Sequence, residues 1–289
     1  MQKQNPSHIV SGKKIAQIIK DEVKTDVELL TARLKRKPKI LSFIVGENKE
    51  SELYLTLRNK ACNQVGIDTE QKSFSSSISE NNLITEIQKS NENPDIDGIF
   101  VQLPLPPHID SQHVLSFISP SKDVEGFTPK NMGLLLTGNQ FLVPCTPKAV
   151  MKILDHHRIQ LKGKHVVIIN HSTVVGKPLV LLCLQRNATV SVAHVYTRNL
   201  KKITRQADVL ITAAGVPSLI KEDFVKDGVV VIDVAIVNTD KGITGDVDFD
   251  QVKQKTSLIS PVPGGVGPVT IASALENMVK ATQARLDGE

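Results

Sequence analysis

No tryptophan occurs in the 289 residues, and aromatic residues make up only 3% of the chain. Stacking on nucleic-acid bases needs aromatic faces, so no nucleic-acid partner is expected. No apolar run approaches the ~20 residues that a membrane span requires. The opening stretch Met1-Gln-Lys-Gln-Asn-Pro-Ser-His8 carries no apolar core of the signal-peptide kind. Cysteine is scarce as well. Cys62, Cys145 and Cys183 are odd in number, far apart and without metal-type spacing. They predict buried thiols in a reducing compartment, with neither a disulfide framework nor a metal site. Together these absences predict a cytoplasmic protein with no membrane partner. An excess of one charge sign is also missing, for the net charge of +5 is spread over interspersed acids and bases. The one dense run, Arg33 to Lys39, closes a predicted helix, where cations suit the negative helix end. A mild positive balance favours a polyanionic small molecule.

Hydrophobic residues form 40% of the chain, enough for two separate cores. Ser11 is placed to cap a helix in which Ile15, Ile19, Val23, Val27, Leu30 and Leu34 recur every three or four residues. Ile40 to Val45 reads as a buried strand, followed by a helix capped by Ser51 with Tyr54, Leu57, Ala61 and Val65 along one side. A strand over 67–74, a helix over 83–88 and a strand over 97–102 continue the alternation. Such a series predicts an α/β layer with parallel strands. Leu103-Pro-Leu-Pro-Pro107 can extend neither element, so it leaves the strand as a stiff loop at the ligand-facing end. A short helix ending at Pro120 and the charged loop Lys122 to Phe127 follow. Thr146-Pro147 reads as a cap and first helical residue, which sets a domain boundary near Pro144.

The second series opens with His165-Val-Val-Ile-Ile169, a buried strand, then the turn Asn170-His171-Ser172. A helix is expected from Pro178. Strand, turn and helix in that order aim backbone N–H groups and a positive helix end at a phosphate. Three further strands, over 189–192, 209–212 and 229–233, complete a unit of nucleotide-binding size. Pro261-Val-Pro-Gly-Gly-Val-Gly-Pro268 suits neither helix nor strand, and its glycine density predicts close backbone approach to a ligand. A last helix is expected from Val269 to Gln283.

These segments resemble one family through nearly the whole chain, the bifunctional methylene-tetrahydrofolate dehydrogenase/methenyl-tetrahydrofolate cyclohydrolases. The resemblance is carried by Asp97-Gly-Ile-Phe-Val-Gln-Leu-Pro-Leu-Pro106, Lys122-Asp-Val-Glu-Gly-Phe127, Pro144-Cys-Thr-Pro147, Gly245-Asp-Val-Asp248 and Pro261 to Pro268. It implies two α/β domains flanking an active-site cleft. The folate-binding domain would span 1–143 and be rejoined by the helix over 269–289. A Rossmann-like NAD(P)-binding domain would span 144–268, with NADP presumed and NAD the alternative. Expected partners are tetrahydrofolate derivatives and a second copy in a homodimer. Expected work is oxidation of methylene- to methenyl-tetrahydrofolate, then hydrolysis to formyl-tetrahydrofolate, in one-carbon metabolism and purine biosynthesis.

The resemblance assigns catalysis to Tyr54, residue 58 and Gln102. It assigns substrate binding to Ser51, Glu125, Pro263, Gly264, Gly265 and Thr270. Cofactor contacts fall on Asn170, His171, Ser172, Val175, Gly176, His194, Val195, Gly215 and Ile236. Three departures stand out. Arg58 occupies the family's catalytic lysine position, and arginine cannot shuttle protons because guanidinium pKa values exceed about 12. Lys60, two residues on, projects from another helix face than Tyr54. Glu125 replaces the pterin-binding aspartate. Asn170-His171 replaces a Gly-Arg pair, which removes a partner for the extra phosphate of NADP while Asn is expected to keep the turn through positive φ. Val195 and Ala235 also depart, Ala235 from a glycine near the nicotinamide; Arg198 and Lys201 are the nearest replacement cations. Hydrolysis is therefore expected to be weakened. The alternative is a non-catalytic or repurposed paralogue that binds a folate-like or nucleotide ligand.

Overall fold

The computed structural model describes residues 8–46, 49–240 and 242–288, with side chains omitted for 49–51. The described residues divide into two compact units, one of 8–16 together with 146–270, the other of 17–145 with 271–288. Residues 8–16, expected in the folate-binding domain, cluster instead with the other unit, where Ile9 bridges Ile259, Val10 N donates to Ile259 O at 2.8 Å, and Gly12 N donates to Gly264 O at 3.0 Å.

The elements of the first half are α1 (Gly12–Leu34), β1 (Lys39–Val45), α2 (Lys49–Val65), β2 (Asp68–Phe74), α3 (Glu80–Glu92), β3 (Gly98–Val101), α4 (Ser111–Ser116) and α5 (Pro129–Thr137). In the second half they are α6 (Cys145–His156), β4 (His165–Ile169), α7 (Gly176–Gln185), β5 (Thr189–Ala193), α8 (Leu200–Thr204), β6 (Val209–Thr212), β7 (Val229–Asp233), β8 (Val237–Thr239), β9 (Gly242–Thr244), α9 (Phe249–Val252), β10 (Thr256–Ile259) and α10 (Val266–Asp287).

One unit holds a parallel sheet in the order β2-β1-β3. The apolar side chains of β1 and β3, among them Leu41, Phe43, Ile99 and Val101, share a core with Leu83, Ile84 and Ile87 of α3. Asp97, fully buried just before β3, accepts from Arg36 at 2.6 and 3.1 Å, from Arg285 of α10 and from Lys39 N at 2.8 Å. A buried carboxylate is tolerable only with such partners. The cationic run thus serves ion pairs more than a helix end: Arg33 pairs with Asp287, Lys37 with Asp68 and Lys39 with Glu70.

The other unit holds five parallel strands in the order β10-β7-β6-β4-β5. From β4 the chain goes to one side for β5 and to the other for β6. In open α/β sheets a ligand crevice forms at such a reversal, outside the carboxyl ends of the strands.

Several boundaries differ from expectation. Ser51 lies inside α2, two residues after its start, and its side chain lies outside the described residues. Helix α6 begins at Cys145, so Thr146 is helical instead of a cap. Helix α7 begins at Gly176, which places Pro178 in its first turn. Helix α10 begins at Val266 and absorbs Gly267 and Pro268 in a turn where a missing N–H costs little. Helix α5 was not read from the sequence. Its signal is Thr128-Pro129, where Thr128 Oγ1 accepts from Asn131 N at 3.4 Å. All three cysteines are buried, and none is in a disulfide.

Candidate active site

Two groups of candidate residues lie in separate units. In the first, α2 presents Tyr54 and Arg58 one turn apart, as residues four apart on a helix must be. Both pack on Phe100 of β3: the Tyr54 ring lies 6.2 Å from that of Phe100, and the Arg58 guanidinium carbon sits 4.2 Å above the ring centre. Arg58 is 1% exposed. Its Nη2 donates to Ser42 Oγ of β1 at 2.5 Å and to Asn59 Oδ1 at 3.0 Å, while Nε and Nη1 are buried without a partner. A cation fixed on one side and unsatisfied on the other suits a polar ligand. Gln102 follows β3 directly. Its Nε2 donates to Leu103 O at 2.7 Å, and its buried Oε1 has no partner.

Glu125 sits in a loop that is held from both ends. Lys122 Nζ donates to the carbonyls of Ser90, Asn91 and Asn93 at 3.2, 2.7 and 2.7 Å, closing the C-terminal end of α3. Asp123 accepts from Gly126 N, Thr128 N and Asn131 Nδ2 at 2.8–2.9 Å. Burial pushes the Glu125 carboxyl up to about 7, against the pull of the Arg58 charge. Its Oε1 is buried and unpartnered. Burial, reinforced by the Glu125 charge, holds the Tyr54 phenol well above its ordinary range. Tyr54 therefore acts as a neutral donor near pH 7, and Glu125 is the group beside it that exchanges a proton there.

The second group lines the carboxyl ends of β4 to β7. Asn170 does not adopt the positive φ expected of a glycine replacement; it is absent from the residues with that conformation. Its side chain preserves the turn instead. Oδ1 accepts from Ser172 N at 2.8 Å and Gly176 N at 3.0 Å, and Nδ2 donates to Ala213 O at 2.7 Å across the sheet reversal. Ser172 Oγ accepts from Val175 N at 3.1 Å. The amides of Ser172, Val175 and Gly176 are thus engaged within the turn. A Cβ on Gly176 would stand 2.2 Å from Asn170 O, so the chain's own close approach requires glycine there.

His171 stacks on His194 with ring centres 4.8 Å apart, and His194 Nδ1 accepts from Tyr196 N at 3.2 Å. Val195 is 85% exposed and Ile236 63% exposed. Gly215 lies in a loop shaped by buried Asp246, which accepts from Thr212 Oγ1, Ala214 N and Val216 N at 2.5, 2.6 and 2.8 Å. Asp233 shapes the loop to Ile236 by accepting from Ala235 N at 3.1 Å and Val247 N at 2.9 Å. Burial pushes Asp233 up to about 7. Strand ends at a sheet reversal, flanked by exposed apolar side chains, fit a dinucleotide. No acid occurs from His194 to Arg198 to hold a ribose diol.

Pro263, Gly264, Gly265 and Thr270 belong to this unit, not to that of Tyr54 and Glu125. The glycine density there is explained within the chain. A Cβ on Gly12 would stand 1.7 Å from Gly265 O, and one on Gly265 would stand 2.4 Å from Pro261 O. Thr270 Oγ1 turns back to Val266 O at 3.3 Å.

The sequence is similar to two family models. Residues 10–125 match the tetrahydrofolate dehydrogenase/cyclohydrolase catalytic domain, and residues 144–286 match its NAD(P)-binding domain. The chain belongs to the tetrahydrofolate dehydrogenase/cyclohydrolase family. Bifunctional protein FolD of Aquifex aeolicus is 47% identical over 274 residues, which cover 94% of each chain. The FolD of Methanococcoides burtonii is 45% identical over 95% of this chain and 96% of its own. Among family structures, the bifunctional FolD of Campylobacter jejuni superimposes with a TM-score of 0.93 at 43% identity, covering 96% of this chain and 99% of its own. The Trypanosoma brucei dehydrogenase-cyclohydrolase, solved with NADP and an inhibitor, gives 0.91 at 35% identity over 96% and 97%. The two-domain α/β fold with a parallel-sheet NAD(P)-binding unit is that of the family.

Sequence reasoning missed Ser42, Phe100 and Cys145 beside the catalytic candidates, and Asp233 and Asp246 beneath the cofactor loops. Ser42 had a visible signal, as a lone hydroxyl within the apolar run Ile40 to Val45. The two aspartates lay in quoted motifs but read only as family markers.

Proposed function

We propose that this chain oxidises methylene-tetrahydrofolate to methenyl-tetrahydrofolate with NAD(P), preferring NADP, and hydrolyses the product only weakly. The observation that carries the weakened second step is Arg58, buried on Phe100 and bonded to Ser42 beside Tyr54. Bound NAD(P) supplies the hydride acceptor for the first step. His171, Ser172, His194, Val195, Gly215 and Ile236 would hold it, with Asn170, Val175 and Gly176 shaping the turn below. The other residues place the folate. In its ionised form Glu125 accepts N–H groups of the pterin ring, with Oε1 free for the purpose. Gln102 Oε1 is a second free acceptor, and Tyr54 donates its phenol proton. Pro263, Gly264, Gly265, Thr270 and Ser51 complete substrate binding on the family pattern.

Hydride transfer requires placement and no proton from the protein. Adding water to the methenyl carbon requires a group that takes a proton and returns one as the ring opens. A guanidinium at position 58 stabilises negative charge but does neither. On this reading the product serves one-carbon metabolism, including purine biosynthesis, in the cytoplasm, and the chain works as a homodimer; family membership supports all three. A side-by-side assay with NAD and NADP, on methylene- and methenyl-tetrahydrofolate, tests the proposal. Nucleotide reduction with slow methenyl hydrolysis is expected. Tight folate binding by calorimetry without reduction of either nucleotide overturns it.

A further inference from the structure

Asp233 and Asp246 take no part in hydride transfer, yet both are buried beneath the loops that follow β6 and β7. A buried carboxylate is tolerable only where donors meet its oxygens. Asp246 finds its donors in one loop. Thr212 Oγ1 ends β6, and the amides of Ala214 and Val216 lie just beyond it. The Gly215 amide between them bonds nothing among the described residues, and where a side chain would stand there is open space. Asp233 ends β7 and accepts from Ala235 N, beside Ile236, and from Val247 N. Val247 follows Asp246 in the chain. The segment Gly245–Val247 therefore grips the loop after β6 with a side chain, and is itself gripped by the carboxylate that shapes the loop after β7.

This segment is fixed from behind. Val247 bridges Ile220, Ile220 N donates to Asp246 O at 2.9 Å, and Asp248 N donates to Ile220 O at 2.9 Å. Gly245 makes the room, since a Cβ there would overlap the Asp233 carboxylate. The loop after β6 is fastened on its other side by Asn170 Nδ2, which donates to Ala213 O. Because β6 and β7 are neighbouring parallel strands, their two loops stand side by side, and each carries an exposed apolar side chain, Val216 and Ile236.

We infer that Asp246 and Asp233 are positioning residues for the nicotinamide nucleotide: through the segment Gly245–Val247 they fix the loop over 213–216 against the loop over 234–236 before the nucleotide arrives. The inference rests on the NAD(P)-binding reading of these loops. Loops ordered in advance spare the binding step that cost, and hydride transfer depends on placement to within about 1 Å. An asparagine at 246 cannot replace the aspartate. The carboxylate accepts amides on both of its oxygens, whereas an asparagine would turn an NH2 group toward one of those N–H groups.

The test measures binding of NAD, of NADP and of methylene-tetrahydrofolate to the apoprotein by calorimetry. It compares the wild type with Asp246→Asn, Gly245→Ala and Val252→Ala, the last a destabilising control in the core of the same unit. For Asp246→Asn, the Kd of both nucleotides is expected to rise about tenfold, by one common factor, while that of the folate stays within about twofold. Gly245→Ala, which displaces the Asp233 carboxylate, gives the same pattern, and Val252→Ala leaves all three Kd values within about twofold. Unchanged nucleotide binding in Asp246→Asn, or equal loss in Val252→Ala, overturns the inference. Hydrogen exchange of the wild-type apoprotein decides the matter even if the variants fail to fold. The amides of Ala214, Val216, Ala235 and Val247 are expected to be protected, with that of Gly215 exchanging fast between them. Fast exchange at all five overturns the inference. A wild type that binds nucleotide but reduces neither NAD nor NADP overturns the proposed oxidation and leaves this inference standing, whereas one that binds neither nucleotide overturns both.

Discussion

Replacing Arg58 with lysine is expected to raise methenyl hydrolysis far more than hydride transfer. The arginine makes two bonds from Nη2, to Ser42 and Asn59, and stacks on Phe100. A lysine keeps the charge over the ring and reaches one of those oxygens, so it loses about one charged hydrogen bond, roughly 1.5–3 kcal/mol. It also removes Nε and Nη1, two buried donors without partners, each costing about 1–3 kcal/mol where it stands. Relief of about 2–6 kcal/mol for the two donors outweighs or offsets the loss of about 1.5–3, so the variant should be no less stable than the wild type by more than about 1 kcal/mol. The chemical effect does not cancel. A positioned group able to exchange protons contributes on the order of 10²–10⁴ in rate, so the hydrolytic kcat/KM should rise about a hundredfold. Burial beside Phe100 would help by weakening the ammonium's hold on its proton. The oxidation should change less than about threefold, because the nicotinamide carries that step. The assay follows loss of methenyl absorbance and appearance of reduced nucleotide on the same preparation. If both steps change by one factor, the proton-shuttle reasoning is wrong.

Glu125 and Asp233, both raised to about 7 by burial, make stability depend on pH. The folded state holds each proton more tightly than the unfolded state does, so the protein should lose stability as pH rises from about 4 through about 7, by roughly 1.4 kcal/mol per unit for each group. Thermal melts of the apoprotein should show that slope, and Glu125→Gln should remove part of it; a flat profile counts against buried carboxyls. Gly176→Ala places a Cβ 2.2 Å from Asn170 O, which backbone must yield to accommodate. A destabilisation of about 1–3 kcal/mol is expected in chemical denaturation, and a neutral effect would mean the turn is looser than described. Arg198→Ala should raise KM for NADP more than for NAD, since the loop after β5 contains no acid and Arg198 is exposed. Equal effects would place the extra phosphate elsewhere.

Much of the fold was legible because its elements have clean periods. The stripe Ile15, Ile19, Val23, Val27 and Leu30 is buried along α1, and the apolar runs at 166–169, 209–211 and 229–232 are buried parallel strands. What escaped was decided by tertiary partners. Ser51 looks like a cap by composition, but α2 starts before it. Strand β10 reads weakly because Thr256 and Ser257 dilute its apolar pair, and only pairing with β7 makes it a strand. Asn170 is instructive for the site. Residue type predicted a backbone role at positive φ, whereas its amide does the work by bonding Ser172, Gly176 and Ala213. No local pattern reveals that Ala213, 43 residues away, ends beside it.

The departures at positions 58 and 125 conserve charge, yet they separate two abilities that lysine and aspartate combine differently. Arg58 is fixed in a core position by Ser42 and Phe100, so its contribution is a permanent field. Glu125 lies in that field, and burial has lifted it to about 7. On the proposed reading, the exchangeable proton of the folate site resides on the residue that also grips the pterin, and it is used up when the substrate binds the carboxylate. Such a site keeps what the proposed oxidation needs, a neutral phenol at Tyr54, a carboxylate at Glu125 and a fixed cation at Arg58. It lacks a second, uncommitted proton carrier for hydrolysis. The proposed division of the two activities follows that line, because only one of them asks the protein for a proton.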